Sequence, residues 1–394
     1  MIQRQLQYEL DKRLMGGKAI VVLGARQVGK TTLLDHLYGS RNDVLWLNGD
    51  LEDTHALLDR VSPATLKAII GSNNIVVLDE AQRIKDIGLK LKIIQDAFGD
   101  KIQVIATGSS AFDLANVVNE PLTGRKWEYT LYPLSFSEMY VHHGYLDEFA
   151  NLENRLMYGY YPEVVTHPAE ARERLLALAS DSLYKDIYRW ENIKKPTQFE
   201  SLAKALAFQI GSQVSTQELS NLTGLDNKTV NRYLRLLEQA FIIFRLGSYS
   251  RNLRNELKAS SKYYFYDVGI RNAIINDFRP SDLRADMGAL FENFIVAELR
   301  KTAAAPAWFW RTSQQQEVDY LEEADGQITA IEIKWSPRSK GRISRTFTEA
   351  YQPEAAYAIH RENFANLLLA RTPHALEGVT SANLLCELQD SYSK

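Results

Sequence analysis

Residues 24–31 read Gly-Ala-Arg-Gln-Val-Gly-Lys-Thr and follow directly on the apolar run Ala19–Leu23. A continuous Ile/Val-rich run reads as a strand buried on both faces, and 31–38 carries helical spacing. Strand, glycine-bearing turn and helix in this order commit the chain to crossovers, and hence to a parallel sheet. The texture repeats. Residues 44–47, 75–78 and 102–106 are apolar runs of the same kind, and 89–98 is amphipathic at helical period. From about 145 to 245 the pattern turns helical, and from about 286 a helix is followed by alternating strands. The expected class is α/β in three parts: a phosphate-loop core with a parallel sheet, a helical and winged-helix region, and a second α/β domain. The expected segments are 1–145, 146–205, 206–280 and 281–394.

The 24–31 segment fits the pattern G-x-x-x-x-G-K-[ST] in the strand–loop–helix setting its chemistry requires. The backbone N–H groups of Gly24, Ala25, Arg26, Gln27, Val28 and Gly29, with Lys30, Thr31 and Thr32 opening the helix, are placed to surround phosphates. Lys30 would reach the β and γ phosphates, and the Thr31 hydroxyl would bind Mg²⁺, so the expected cofactors are ATP and Mg²⁺. The run at 75–78 ends in Asp79 and Glu80. Asp79 would hold Mg²⁺ through water, and Glu80 would orient and polarise the attacking water. Strand 102–106 runs into Thr107-Gly108-Ser109-Ser110, whose hydroxyls would sense the γ-phosphate, Ser109 first and Ser110 second. Charge on the transferred phosphoryl calls for an arginine. Arg125 is the candidate, supplied by a neighbouring subunit; Arg26 is a poorer one because its side chain would point outward.

The segments GARQVGKT, VVLDEAQ, ATGSS, LTGRKWEYTLYPLSFSEMY and YGYYPEVV together resemble the AAA-type bacterial and archaeal ATPases with a DUF4143 C-terminal region. The resemblance spans nearly the whole chain. It implies an AAA+ core and nucleotide roles for Lys30, Thr31, Asp79, Glu80 and Ser109. It also implies an intersubunit finger role for Arg125, because Gly124-Arg125 precedes the Pro133-Leu134-Ser135-Phe136 segment at the family's position. It identifies a motor and not the load the motor acts on.

In the middle of the chain, Ser215 and Glu218 stand in capping-box register. After Gly224, Asp226 can cap a second helix on which Val230, Tyr233, Leu234 and Leu237 recur at helical spacing. Two short helices about a glycine turn read as a helix-turn-helix. The apolar segments 241–246 and 262–266 would supply the hairpin of a winged helix. Lys228, Asn231, Arg232 and Arg235 would line the exposed side of the second helix, suited to phosphates and base edges. Arg245, Arg251, Arg254 and Lys258 add charge around the wing.

Further on, 317–321 alternates as a strand, Asp325-Gly326 is a hairpin turn signal, and 328–335 returns as a second strand. Glu332 and Lys334 share a face, and Asp319 on the partner strand can meet them. Asp followed by Glu-x-Lys on an adjacent strand suits a metal-dependent phosphodiesterase: carboxylates bind Mg²⁺ and the lysine steadies developing charge. Glu292 on the preceding helix would be a further ligand. The arrangement resembles the PD-(D/E)xK restriction-endonuclease-like fold, with Val318 where that family has proline. The stretch 334–345 then brings Arg338, Lys340, Arg342 and Arg345 with no acidic residue, a run that can track a phosphate backbone. Trp308, Phe309, Trp310 and Arg311 could stack on bases or equally serve as core, and Phe309 reads as core.

Composition narrows the rest. A net charge of −3 over 394 residues leaves room for a local basic patch and excludes a global one. The start has no apolar leader, no run approaches the ~18 residues that cross a bilayer, and the lone Cys386 cannot form an internal disulfide. A reducing, cytoplasmic setting away from membranes follows. The expected function is an ATP-hydrolysing homo-oligomer, a hexamer, that remodels or translocates on DNA, branched DNA included. The alternatives are a nucleotide-gated regulatory switch that binds a protein partner through an inactive nuclease-like fold, and an ATP-dependent endonuclease.

Overall fold

A computed structural model describes residues 1–109, 122–181, 187, 193, 195–250, 261–303, 305–339 and 341–371. Ser110, Arg251, Arg254, Lys258, Lys340 and Cys386 lie outside the described residues. The chain divides into two compact units, one of Met1–Leu134 with Gln239–Phe241, the other of Ser135–Glu238 with the residues from 242 onward.

The first unit is built on five parallel strands: β1 (Ala19–Leu23), β2 (Val44–Asn48), β3 (Ile75–Asp79), β4 (Gln103–Gly108) and β5 (Lys126–Thr130). Their order is β2-β3-β4-β1-β5. β1, β3 and β4 are buried at every position, as unbroken Ile/Val runs in a sheet covered on both faces must be. In the 44–47 run, expected to be equally buried, only Leu47 is, and Val44, Leu45 and Trp46 are partly exposed, because β2 is an edge strand with a neighbour on one side only. β5 at the other edge is polar and half-buried, which hides it in the sequence. Leu23 pairs with Gly108 and with Thr130, and Leu78 with Ala106. All five strands therefore end on one edge, where loops can share a ligand.

The second unit carries a seven-stranded sheet ordered β12-β11-β10-β9-β7-β8-β6. Its strands are β6 (Gln213–Val214), β7 (Ile243–Ser248), β8 (Ser261–Phe265), β9 (Ala307–Arg311), β10 (Glu317–Ala324), β11 (Gln327–Ile333) and β12 (Ala355–Ile359). β7 and β8 form the expected antiparallel pair behind the two helices. β7 then runs parallel to β9, with Gly247 beside Trp308 and Ser248 beside Phe309. The strands expected as a wing and those expected as a nuclease-like core thus share one sheet. Beyond the seam, the order is helix Met287–Thr302, antiparallel β9-β10-β11, helix Arg345–Tyr351, and β12 parallel to β11. Trp310, Val318, Leu321, Ile328, Ala330, Ile343 and Phe347 make its core. Trp310 is therefore no stacking platform: its indole is buried against Phe347, ring centroids 5.1 Å apart. Phe309 is fully buried, as read from the sequence.

The helix-turn-helix segment forms as Thr216–Thr223 and Asn227–Gln239, with Gly224 left-handed between them. Only half of the expected capping box closes. Ser215 Oγ accepts from Glu218 N at 3.4 Å, while the Glu218 carboxylate accepts from Gln209 instead. Asp226 caps the second helix through Thr229 N at 2.9 Å, and Val230, Tyr233, Leu234 and Leu237 are buried.

Candidate active site

The loop after β1 takes its shape from its own backbone. Gly24 must be glycine, since a Cβ there would lie 2.2 Å from the Leu131 carbonyl oxygen. Gly29, at φ 94°, starts the helix Lys30–Tyr38 with no side chain capping it. A helix N-terminus leaves its first N–H groups without intrahelical partners, and the positive end of the helix dipole faces the loop. Lys30 is buried, and its Nζ donates to the carbonyls of Gly24 and Ala25, each at 2.9 Å. Arg4, 24 residues before Val28, donates to the Val28 carbonyl at 2.7 Å and to the Tyr132 carbonyl at 2.6 Å. It ties the loop to the end of β5 and has no sequence motif to announce it.

Two positions along the sheet, β3 delivers its carboxylates to the same edge. Thr31 Oγ1 donates to Asp79 Oδ2 at 2.8 Å, and Thr107 Oγ1 donates to Asp79 Oδ1 at 2.5 Å. A hydroxyl and a carboxylate this close are hard oxygen donors that fit Mg²⁺, an ion that keeps several waters and takes a few protein oxygens. Glu80 sits at φ 49°, an uncommon conformation for a side-chain-bearing residue and one that concentrates at functional sites. Its N–H donates to Thr107 Oγ1 at 3.1 Å, so β4 fixes both acidic residues. Ser109 Oγ lies 3.2 Å from Glu80 Oε2. Lys30, Thr31, Asp79, Glu80 and Ser109 are thus brought together. Arg125 is not. Its carbonyl pairs with Ala19 at the far ends of β1 and β5, about 16 Å away at ~3.3 Å per residue. Its half-exposed side chain pairs with Asp96 at 3.0 Å.

The sequence-predicted metal residues of the second unit meet around two lysines. Lys334 Nζ lies 2.5 Å from Glu332 and 3.3 Å from Asp319, whose carboxylate also accepts from Ile333 N at 2.8 Å. Glu292 is claimed by β8: Lys262 Nζ donates to it at 2.9 Å and Tyr264 Oη at 2.7 Å. Lys262, 1% exposed, also pairs with Glu317. Burial and the neighbouring Asp319 push Glu292 and Glu332 up to about 7, with the lysines offsetting part of the rise. Burial works against both ammonium charges, but the carboxylates outweigh it, and the Lys262 and Lys334 pKa values end above the ordinary lysine range. Among the described residues, no group of three His, Cys, Asp or Glu side chains is placed to hold a metal ion. Lys262 and Glu317 escaped the sequence reading because a single lysine or glutamate in a strand carries no spacing signal.

The basic positions divide. Lys228, Arg235, Arg338 and Arg342 are exposed, while Arg232 is half-buried with its guanidinium 5.3 Å from the Tyr233 ring. Lys334 is turned inward, and Arg345 pairs with Glu349 at 2.7 Å. Among the described residues no helix is long and apolar enough to cross a membrane.

Residues 16–140 match the family described as AAA domain, 149–281 a domain of unknown function (DUF8612), and 287–371 a domain of unknown function (DUF4143). An uncharacterised protein of Haemophilus influenzae is 28% identical over 340 residues, covering 79% of this chain and 81% of its own length. One of Mycobacterium tuberculosis is 26% identical over 357 residues, covering 88% of this chain and 77% of its own. Among solved structures, the Walker-type ATPase PABY2304 of Pyrococcus abyssi is similar with a TM-score of 0.51 at 14% identity, over 70% of this chain and 96% of that one. One chain thus joins a segment that matches an AAA domain to one that matches DUF4143, on a fold similar to that of a Walker-type ATPase.

Proposed function

We propose that the chain hydrolyses ATP with Mg²⁺. The observation that carries this reading is the meeting of Lys30, Thr31, Asp79, Glu80 and Ser109 at the ends of three adjacent parallel strands. Lys30 holds neutral carbonyls that it can exchange for β and γ phosphate oxygens, a stronger partner for an ammonium. Thr31 and Asp79 hold Mg²⁺, which neutralises charge on the phosphate oxygens. Glu80 takes a proton from the attacking water, and Ser109 donates to the γ-phosphate. Arg125 serves a neighbouring chain in a homo-oligomer. The test is Glu80→Gln. It should bind ATP with near-normal affinity and hydrolyse it roughly 10²–10⁴-fold more slowly. Normal turnover in that variant would remove Glu80 as base, and a wild-type protein that releases no phosphate would remove the reading.

For the load we infer DNA, on the strength of exposed Lys228 and Arg235 on one helix and Arg338 and Arg342 after β11. Duplex, forked and four-way DNA should each be tried for affinity and for stimulation of ATP hydrolysis. Affinity that does not weaken between two salt concentrations would count against phosphate contacts. One observation favours a fold that holds nucleic acid without cutting it: the carboxylates expected to bind a metal are each paired with Lys262 or Lys334. Mg²⁺-dependent nicking lost in Asp319→Ala would reverse that preference.

A further inference from the structure

Gln82 lies in the short 3-10 turn Ala81–Arg83 that follows Glu80. The left-handed backbone at Glu80 folds this turn back over the strand ends. Gln82 Nε2 lies 2.5 Å from Glu80 Oε2 and 3.0 Å from Ser109 Oγ, and Ser109 closes the ring back to Glu80. A carboxylate only accepts, so the amide nitrogen must face Glu80, and both of its N–H groups are then used. That orientation fixes the other end of the amide. Gln82 Oε1 is buried and has no hydrogen-bond partner among the described residues. A buried carbonyl oxygen without a donor is unfavourable and calls for an explanation.

The chemistry of the edge supplies one. Lys30 and the loop N–H groups are donors suited to phosphate, the Ser109 hydroxyl can rotate there from Glu80, and Glu80 accepts one hydrogen of the attacking water. The second hydrogen needs an acceptor that does not compete for the proton, and a neutral amide oxygen is one.

We propose that Gln82 is a water-orienting catalytic residue: its nitrogen fixes Glu80 and Ser109, and its oxygen accepts from the attacking water. This rests on the ATP-hydrolysis reading above. The water oxygen bonds to the γ-phosphorus as the bond to the β–γ bridging oxygen breaks, and that electron pair leaves with ADP. Glu80 takes the proton lost by the water and passes it to solvent. The other hydrogen stays on the oxygen now bound to phosphorus, and Gln82 neither gains nor loses a proton.

The test measures steady-state ATP hydrolysis, affinity for a fluorescent ATP analogue with Mg²⁺, and melting temperature for wild type, Gln82→Ala and Gln82→Glu. Gln82→Ala should lower kcat about tenfold to a hundredfold, with KM and nucleotide affinity within about twofold of wild type. Gln82→Glu keeps the shape but sets a second carboxylate beside Glu80. Two carboxylates sharing a site raise one pKa, so the acidic limb of its rate–pH profile should move to higher pH. A purely structural role would leave that limb where it is. Should Gln82→Ala fail to fold, the isosteric Gln82→Glu carries the test alone. Wild-type rates in Gln82→Ala, or a fall in affinity that matches the fall in rate, would overturn this assignment while leaving the ATPase reading intact. Absence of turnover in the wild type would overturn both.

Discussion

The edge of the five-stranded sheet and the face of the seven-stranded sheet each gather acidic side chains around a buried lysine, and they dispose of the charge in opposite ways. Lys30 rests on two backbone carbonyls, and Asp79 and Glu80 rest on hydroxyls and an amide. The two carbonyls are neutral, and phosphate oxygens are the stronger partner for an ammonium. Lys262 and Lys334 bond carboxylates directly. A cation held by dipoles is available to a ligand, whereas a cation held by buried carboxylates is part of the frame.

The sharpest way to break this contrast is Lys262→Met. It leaves the partly buried Glu292 and Glu317 without their counter-charge beside a fully buried side chain, and should cost the second unit about 3 kcal/mol in urea unfolding. A loss below ~1 kcal/mol would show that Lys262 is not part of the frame. Lys30→Met is the counterpart, with a smaller structural cost. Its folding should be close to normal, while turnover falls roughly 10²–10³-fold, the usual price of losing one preorganised donor. A large loss of stability with ATP turnover preserved would invert the comparison.

A milder test uses pH. Glu292 and Glu332 sit at about 7 in the folded chain against an ordinary 4.5. The native state therefore binds more protons, and this stability is fully present below 4.5 and lost as pH rises through 7. The melting temperature of the second unit should rise by a few degrees between pH 8 and pH 6, and Glu332→Gln should flatten that slope. A flat wild-type profile would mean that the two carboxyls titrate as if solvated. The smallest effect is expected at the surface. Lys228→Ala with Arg235→Ala should leave stability unchanged and reduce the salt slope of DNA binding by roughly 2, about 0.9 per phosphate contact. An unchanged slope would remove that helix from the DNA surface.

What could be read in advance follows the same division. β1, β3 and β4 were legible because a central parallel strand must be apolar throughout, and the proposed nucleotide residues were legible because they stand at the tips of such strands. β5, reading Lys-Trp-Glu-Tyr-Thr, was not, since an edge strand needs no apolar run. Arg4 acts through hydrogen bonds fixed by the fold, and no spacing in the chain marks it; Gln82 closes the VVLDEAQ segment, but only the fold shows its amide reaching Glu80 and Ser109. The stretch 334–345 looked uniformly basic, yet Lys334 is turned inward to Asp319 and Glu332 while Arg338 and Arg342 face out. Composition counts charges but cannot say which way they point. The family resemblance supplied the C-terminal domain's name, which the residues alone would not have given.

The seam between β7 and β9 has a mechanical corollary. Its register runs through Gly247–Trp308 and Ser248–Phe309, whereas β10 and β11 are zipped from Tyr320–Ile331 to Ala324–Gln327. Tension drawn across the sheet would fall on that short ladder and on the Lys262 pairs to Glu292 and Glu317 that bridge it, so those side chains rivet two plates that the backbone joins only briefly.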